Sequence, residues 1–79
     1  MKMDEQLRVF LEDLITLIQE KYNETLTVPA DESAEDKFFR LGSNFAYFDI
    51  LDLIDSQLIA HGLDSNSLGK ISPTLGEKI

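Results

Sequence analysis

Carboxylates are the side chains that this sequence supplies most abundantly for chemistry. The chain has 15 Asp and Glu residues and a single His. Asp49, Asp52 and Asp55 recur at every third position, a spacing at which carboxylates on a helix can share a hard cation. A second acidic cluster lies within residues 31–36. Solvated acidic edges are more typical of a surface that keeps a protein in solution, so we predict no metal ion at either cluster.

The segment that begins at Asp64 partly matches the pattern of a calcium-binding loop. Asp64, Asn66 and Gly69 occupy the first, third and sixth loop positions. Leu68 and Leu75 occupy the fifth and twelfth positions, where that loop needs an oxygen ligand and a bidentate glutamate. We therefore predict that this segment binds no calcium.

His61 is the only histidine, and the chain has no cysteine that could complete a zinc site with it. A catalytic base also needs a nucleophile and a cleft. The sequence contains neither a phosphate-binding glycine loop nor a nucleophile elbow. We predict that the protein is not an enzyme, that it needs no cofactor, and that His61 stands at a helix end.

The charge of the chain excludes several classes of partner. The formal net charge is −8 and the sequence pI is about 4.3. Such a field repels the phosphates of nucleic acids and of anionic membranes, so we predict binding to neither. No apolar run approaches the ~20 residues of a membrane span, and the opening MKMDEQ is not followed by the apolar core of a signal peptide. We expect a cytoplasmic protein.

Residues 3–22 are predicted to form a first helix, because apolar residues recur there at spacings of three and four. The predicted core face consists of Leu7, Phe10, Leu11, Leu14, Ile15, Ile18 and Tyr22. Residues 23–32 break this pattern and are predicted to form an ordered connection, in which Val28 before Pro29 favours an extended backbone.

Residues 33–62 are predicted to form a second helix. Ser33-Ala34-Glu35-Asp36 resembles a capping box at its start, and Gly62 is suited to end it. Gly42 leaves two alternatives open. The helix either continues through this glycine with at most a gentle kink, which we favour, or breaks within residues 41–44 and restarts. In a continuous helix we expect Gly42 to permit close approach of the first helix.

The second helix carries more apolar surface than one partner helix can cover. Its broad predicted core face consists of Ala46, Tyr47, Ile50, Leu51, Leu53, Ile54 and Leu58. A second apolar strip, which we predict to contact another protein chain, consists of Phe38, Leu41, Phe45, Phe48 and Ile59. In the alternative, a kink at Gly42 turns Phe38 and Phe39 into the intramolecular core.

These elements predict an all-α domain covering residues 1–79, with an antiparallel helical hairpin and a short C-terminal segment at residues 63–79. A chain of this size buries only about 60–65% of its unfolded surface, and it has no disulfide to stabilise it. We therefore expect a homodimer, in which two hairpins pair into a four-helix bundle.

Two protein groups resemble parts of this chain. The segment from Phe39 to Phe45 is similar to the Phe-x-x-Leu-Gly-x-Asp-Ser stretch of acyl carrier proteins. Phe45 stands at the position of the family's phosphopantetheine-bearing serine, so this resemblance implies a degenerate carrier. Residues 41–64 resemble short uncharacterised all-helical proteins of Gram-positive bacteria and their mobile elements, which carry a similar Gly…Phe-Ala-Tyr-Tyr stretch before a helix that closes at Gly. That resemblance implies a bacterial protein and assigns no site.

The function that these observations predict is a non-catalytic protein–protein interaction module, of the kind used as a small accessory or regulatory protein. Surplus apolar surface and net acidity carry this prediction. Two alternatives stay open at this point: an acidic inhibitor or immunity-type protein that blocks a basic partner, and the degenerate acyl-carrier-like protein.

Overall fold

The computed structural model describes residues 4–63 and 68–79 and shows an all-helical chain. Two helices, α1 (Glu5–Glu24) and α2 (Ala34–Ala60), pack antiparallel as a hairpin. No strand occurs within the described ranges, and none of their helices is long and apolar enough to cross a membrane. The all-α hairpin predicted from the sequence is confirmed.

Helix α1 begins and ends two residues later than its predicted range. Asp4 caps its start by accepting a hydrogen bond from the amide of Gln6 at 2.7 Å. Glu5 in the first turn and Lys21 in the last turn both suit the helix dipole. The connection to α2 therefore starts at Thr25, whose amide closes the last turn of α1.

Helix α2 is capped at both ends by the residues that the sequence indicated. The Ser33 hydroxyl accepts a hydrogen bond from the amide of Asp36 at 3.1 Å. At the other end Gly62 has φ of 70°, and the Leu63 amide donates to the Leu58 carbonyl at 2.9 Å. This pattern is a Schellman motif, which satisfies the last carbonyls of the helix.

Helix α2 runs without a break through Gly42. The alternative in which a kink buries two aromatic rings is wrong, because Phe38 is 73% exposed and Phe39 is 78% exposed. The expected role of Gly42 is also wrong: a Cβ atom built there would meet nothing within 4 Å. Gly42 faces away from α1, so no close approach of the helices requires a glycine there.

The core lies along the seam between the two helices and is closed by the C-terminal segment. Its buried hydrophobic residues among those described are Ile15, Tyr22, Leu51, Leu58 and Ile71. Partly buried residues around them are Leu11, Ile18, Leu26, Tyr47, Phe48, Ile54, Leu63, Leu68 and Ile79. The molecule measures 48 × 20 × 16 Å. Since one helix is about 10 Å across, only the facing side of each helix can be interior.

The C-terminal segment (residues 68–79) lies along one side of the hairpin and bonds mainly to α1. Gln19 donates its side-chain amide to the Lys70 carbonyl at 2.8 Å. The Tyr22 hydroxyl donates to the Thr74 carbonyl at 3.2 Å and accepts from the Gly76 amide at 3.1 Å. The segment thereby covers one of the two grooves between the helices.

Replacing Gly42 by Ala should raise the free energy of unfolding by about 1 kcal/mol. The reason is that glycine inside a helix is less favourable than alanine by this amount, and the added methyl group has open space around it. Urea unfolding followed by circular dichroism would measure the change. The opposite kind of substitution, Ser56→Gly at an exposed position of α2 outside the apolar surfaces, should lower stability by a few tenths of a kcal/mol. A destabilising Gly42→Ala would mean that another molecule packs closely against Gly42.

Replacing Tyr22 by Phe should loosen the C-terminal segment while leaving the helical hairpin intact. The substitution removes both bonds of the hydroxyl group to the segment, each worth about 1 kcal/mol or less. Amide hydrogen exchange at Gly76 should speed up, whereas amides in the middle of α1 should keep their protection. Tyr47→Phe removes the hydroxyl group of a half-buried tyrosine in α2 and serves as the matched control. Unchanged exchange at Gly76 would contradict the prediction.

Candidate interaction surfaces

A polar cluster fixes the closed end of the hairpin, where the connection meets α2. Asn44 and Thr25 are both buried, and the Asn44 side-chain amide donates to the Thr25 hydroxyl at 2.9 Å. Arg40 donates to the Thr25 carbonyl at 3.1 Å and pairs with Glu32 through two hydrogen bonds of 2.6 and 3.2 Å. These groups satisfy one another, so the cluster is built to hold the chain rather than to bind a ligand.

The ion pair in this cluster perturbs both of its members. Hydrogen bonding from Arg40 lowers the pKa of Glu32 from its ordinary value of 4.5, since the guanidinium stabilises the ionised carboxylate. The same bond raises the pKa of Arg40. An exposed pair on α1 behaves alike, because Arg8 lowers the pKa of Glu5. That pair is solvated and contributes little to folding.

The residues considered for chemistry do not converge in the described part of the chain. Within it, no three acidic or histidine side chains lie close enough to hold a metal ion. Asp49 and Asp52 are exposed on α2, and Asp55 is half-buried, where it accepts from the Ser72 hydroxyl at 3.5 Å. The calcium-like pattern depends on residues 64–67, which lie outside the described ranges. His61 is exposed and stands at the C-cap of α2, as predicted from the sequence.

An apolar surface extends over both helices on the side opposite the C-terminal segment. We call this the two-helix face, and its large exposed side chains are Leu7, Phe10, Leu14, Leu17, Phe39, Ile50 and Leu53. Their exposures range from 39% for Leu14 to 78% for Phe39. Residues in α1 and α2 share this side because antiparallel packing brings matching flanks of the two helical wheels together.

The grooves of the hairpin support this placement. Leu11 of α1 lines a shallow apolar groove of about 320 Å³ together with Leu53 and Gln57 of α2. Toward the closed end, Lys21 and Glu24 of α1 line a second groove together with Phe39 of α2. The opposite groove is occupied by residues 68–79, which bond to both helices. The C-terminal segment therefore leaves the two-helix face uncovered.

The middle of the two-helix face carries no carboxylate. On its α2 flank the sequence supplies only uncharged residues between positions 39 and 60: Phe39, Gly42, Ser43, Ala46, Ile50, Leu53, Gln57 and Ala60. On its α1 flank the one charged residue between positions 7 and 21 is Lys21. In a chain with 15 acidic residues, these two stretches without a carboxylate distinguish the two-helix face from an ordinary solvated surface, and Glu24 lines only its closed end.

The strip predicted to contact another chain lies on the other flank of α2, and we call it the α2 strip. Phe38, Leu41, Phe45 and Ile59 are exposed there, whereas Phe48 is half-buried and packs against the core. The four exposed residues share one flank of α2, away from the two-helix face. Whether the α2 strip contacts a partner stays a prediction.

The sequence interpretation missed the two-helix face because it assigned those residues to the intramolecular core. Leu7, Phe10 and Leu14 were expected inside, and so were Ile50 and Leu53, yet all five are exposed. A signal was present in the spacing. Each helix carries two apolar series offset by one residue or more, and a single neighbouring helix can cover only one of them.

Replacing Glu32 by Gln should flatten the loss of stability at acid pH. Since the folded pKa of Glu32 lies below that of the unfolded chain, the ion pair stabilises the fold above about pH 4.5 and is lost as the pH falls through the lowered pKa. Urea midpoints measured from pH 7 down to pH 3 would show this. Glu35→Gln changes an exposed residue in the first turn of α2, and its urea midpoint should fall as steeply toward pH 3 as that of the wild type. Equal slopes for both variants would contradict the prediction.

No protein-family model matches this chain, and neither does any curated protein or solved structure. The function must therefore be inferred from the chemistry of the molecule itself. Its described surface offers two apolar areas, the two-helix face and the α2 strip, and grooves that are shallow and open.

Proposed function

We propose that this protein is a non-catalytic protein–protein interaction module that pairs with a second copy into a four-helix bundle. The observation that carries the proposal is the two-helix face, which spans both helices and has no carboxylate between its apolar side chains. The arguments for a second copy as its occupant come from helix geometry, charge and size.

Helix geometry favours a second hairpin. In an antiparallel four-helix bundle each helix packs against two neighbours, so each needs two apolar series at spacings of three and four. Helix α1 has the inner series Leu11, Ile15, Ile18 and Tyr22 and the outer series Leu7, Phe10, Leu14 and Leu17. Helix α2 has the inner series Tyr47, Leu51, Ile54 and Leu58 and the outer series Phe39, Ala46, Ile50 and Leu53. The hairpin occupies only the inner series.

Charge favours the same occupant. Two copies of a chain with a net charge of −8 repel each other, so a self-association surface has to keep carboxylates out of the contact. The two-helix face meets this requirement, because Lys21 is its only charged residue over the stretches described above. The acids then lie on the outside of the bundle, where water screens them.

Size is the third argument. A standard interface takes ~800 Å² from each partner, a modest share of the 5649 Å² that the single chain exposes over its described residues. At about 25 cal/mol per Å² of apolar area, covering seven large side chains would add to the small core that a lone hairpin can assemble. Pairing would also raise the stability of a small chain, since whatever binds the folded state alone stabilises it.

Charged substitutions on the two-helix face should dissociate the dimer. Wild-type protein should elute at twice the 9.0 kDa mass of the chain in size-exclusion chromatography with light scattering. Leu17→Glu and Leu53→Glu should each weaken association by about a hundredfold, since an unpaired carboxylate in an apolar contact costs a few kcal/mol. Both side chains are exposed in the single chain, so the monomers should keep their helicity.

Two matched substitutions control for added charge. Val9→Glu and Phe45→Glu introduce the same carboxylate at exposed apolar positions outside the two-helix face, and both should remain dimeric. A wild-type monomer at ~100 μM, a concentration well above the dissociation constant of a standard interface, would refute the bundle. If Phe45→Glu dissociates the dimer and Leu17→Glu does not, the copies pair through the α2 strip instead.

A further inference from the structure

The α2 strip belongs to a longer series that ends in carboxylates. Its positions alternate by three and four residues along the whole of α2, as the seam of a coiled coil does. In order, the series reads Phe38, Leu41, Phe45, Phe48, Asp52, Asp55 and Ile59. Asp49 flanks it on its solvent side. The strip is therefore apolar over its first two heptads and acidic over the next turns.

This composition disfavours a second copy of the chain as the occupant. If two copies paired antiparallel through the strip about Phe48, Asp52 of one would lie against the ring of Phe45 of the other. If they paired in parallel, each Asp52 would lie against its own equivalent. A carboxylate buried against a phenyl ring or against another carboxylate loses hydration without compensation. Pairing through the two-helix face does not place a carboxylate between its apolar side chains.

The carboxylates have no cation nearby on their own helix. After Arg40, which is bound to Glu32, α2 contains no Lys or Arg as far as its end at Ala60. Asp49 and Asp52 are exposed, and the described contact of Asp55 is with the Ser72 hydroxyl. A partner that covers the strip must therefore bring its own positive charge to this half of it.

We propose that the α2 strip binds a basic amphipathic helical segment of another protein, with apolar anchors over Phe38, Leu41 and Phe45 and Lys or Arg side chains facing Asp49 and Asp52. This inference rests on the interaction-module function above, and it identifies the class of partner. Helix binding through anchors at three- and four-residue spacing is a common mode of peptide recognition. The carboxylates at one end of the strip fix the register and direction of the bound helix. Only one alignment places the apolar anchors on the apolar half and the cations on the acidic half at the same time.

Two synthetic helical peptides of about 20 residues would test the proposal. Both carry Leu and Phe at the anchor positions. One carries Lys at the positions that face the acidic half, and the other carries Glu there. Affinities come from isothermal titration calorimetry with the full chain. The Lys peptide should bind and the Glu peptide should not, and binding should weaken by about tenfold between low salt and about 150 mM salt.

Variants of the chain locate the contact. Asp52→Lys and Phe45→Ser should each weaken binding of the Lys peptide by about tenfold or more, whereas Asp13→Lys, the same charge reversal at an exposed site on α1, should change it by less than about twofold. Equal losses for Asp52→Lys and Asp13→Lys would show attraction by net charge alone and would overturn the proposal. So would a loss caused by Leu53→Glu but not by Asp52→Lys, which would place the peptide on the two-helix face.

The mass of each variant, measured in parallel, separates this inference from the dimer. If Leu17→Glu is monomeric and still binds the Lys peptide, both proposals stand. If the wild type is monomeric and binds the peptide in the pattern above, the bundle fails and this inference holds. If the dimer forms but the Lys peptide does not bind, the bundle stands and this inference fails.

Discussion

Over residues 4–63 and 68–79 each helix has one helical neighbour, and that constraint determines where its apolar residues can go. A body 16 to 20 Å across has room for one seam between two helices and one segment laid over it. Ile15, Tyr22, Leu51 and Leu58 fill the seam. Every further apolar series on the helices is left at the surface by geometry, however strongly the side chains favour burial.

The two grooves of the hairpin are treated differently by the chain. One is covered by residues 68–79, which insert Ile71 into the core and bond to Gln19, Tyr22 and Asn23. The other is left open and lies within the two-helix face. The chain thus covers one groove with its own C-terminal segment. In a four-helix bundle, a second copy would cover the other groove.

Local signals predicted the helices and their ends well, because caps depend on nearby residues. Ser33 and Gly62 act as the sequence indicated. The polar cluster was not predictable, since Arg40 and Asn44 occupy inward positions of α2 that periodicity reserves for apolar residues. Their partners Thr25 and Glu32 lie in the connection, whose path the sequence does not specify. The sequence also showed that the apolar faces are wide. Which of their residues are buried depends on how many neighbours each helix has, and the sequence does not specify that number.

The bonds that hold the C-terminal segment have a consequence for its sequence. Gln19 binds carbonyl groups of the segment, Tyr22 binds a carbonyl and an amide, and Asn23 binds both the amide and the carbonyl of Ile79. All of these contacts reach main-chain atoms, which every residue type except proline provides in full. Outside the buried Ile71 and Pro73, the core-packed Leu68 and Ile79 and the positive-φ glycines, the segment can therefore change its side chains over evolutionary time without losing its attachment to α1.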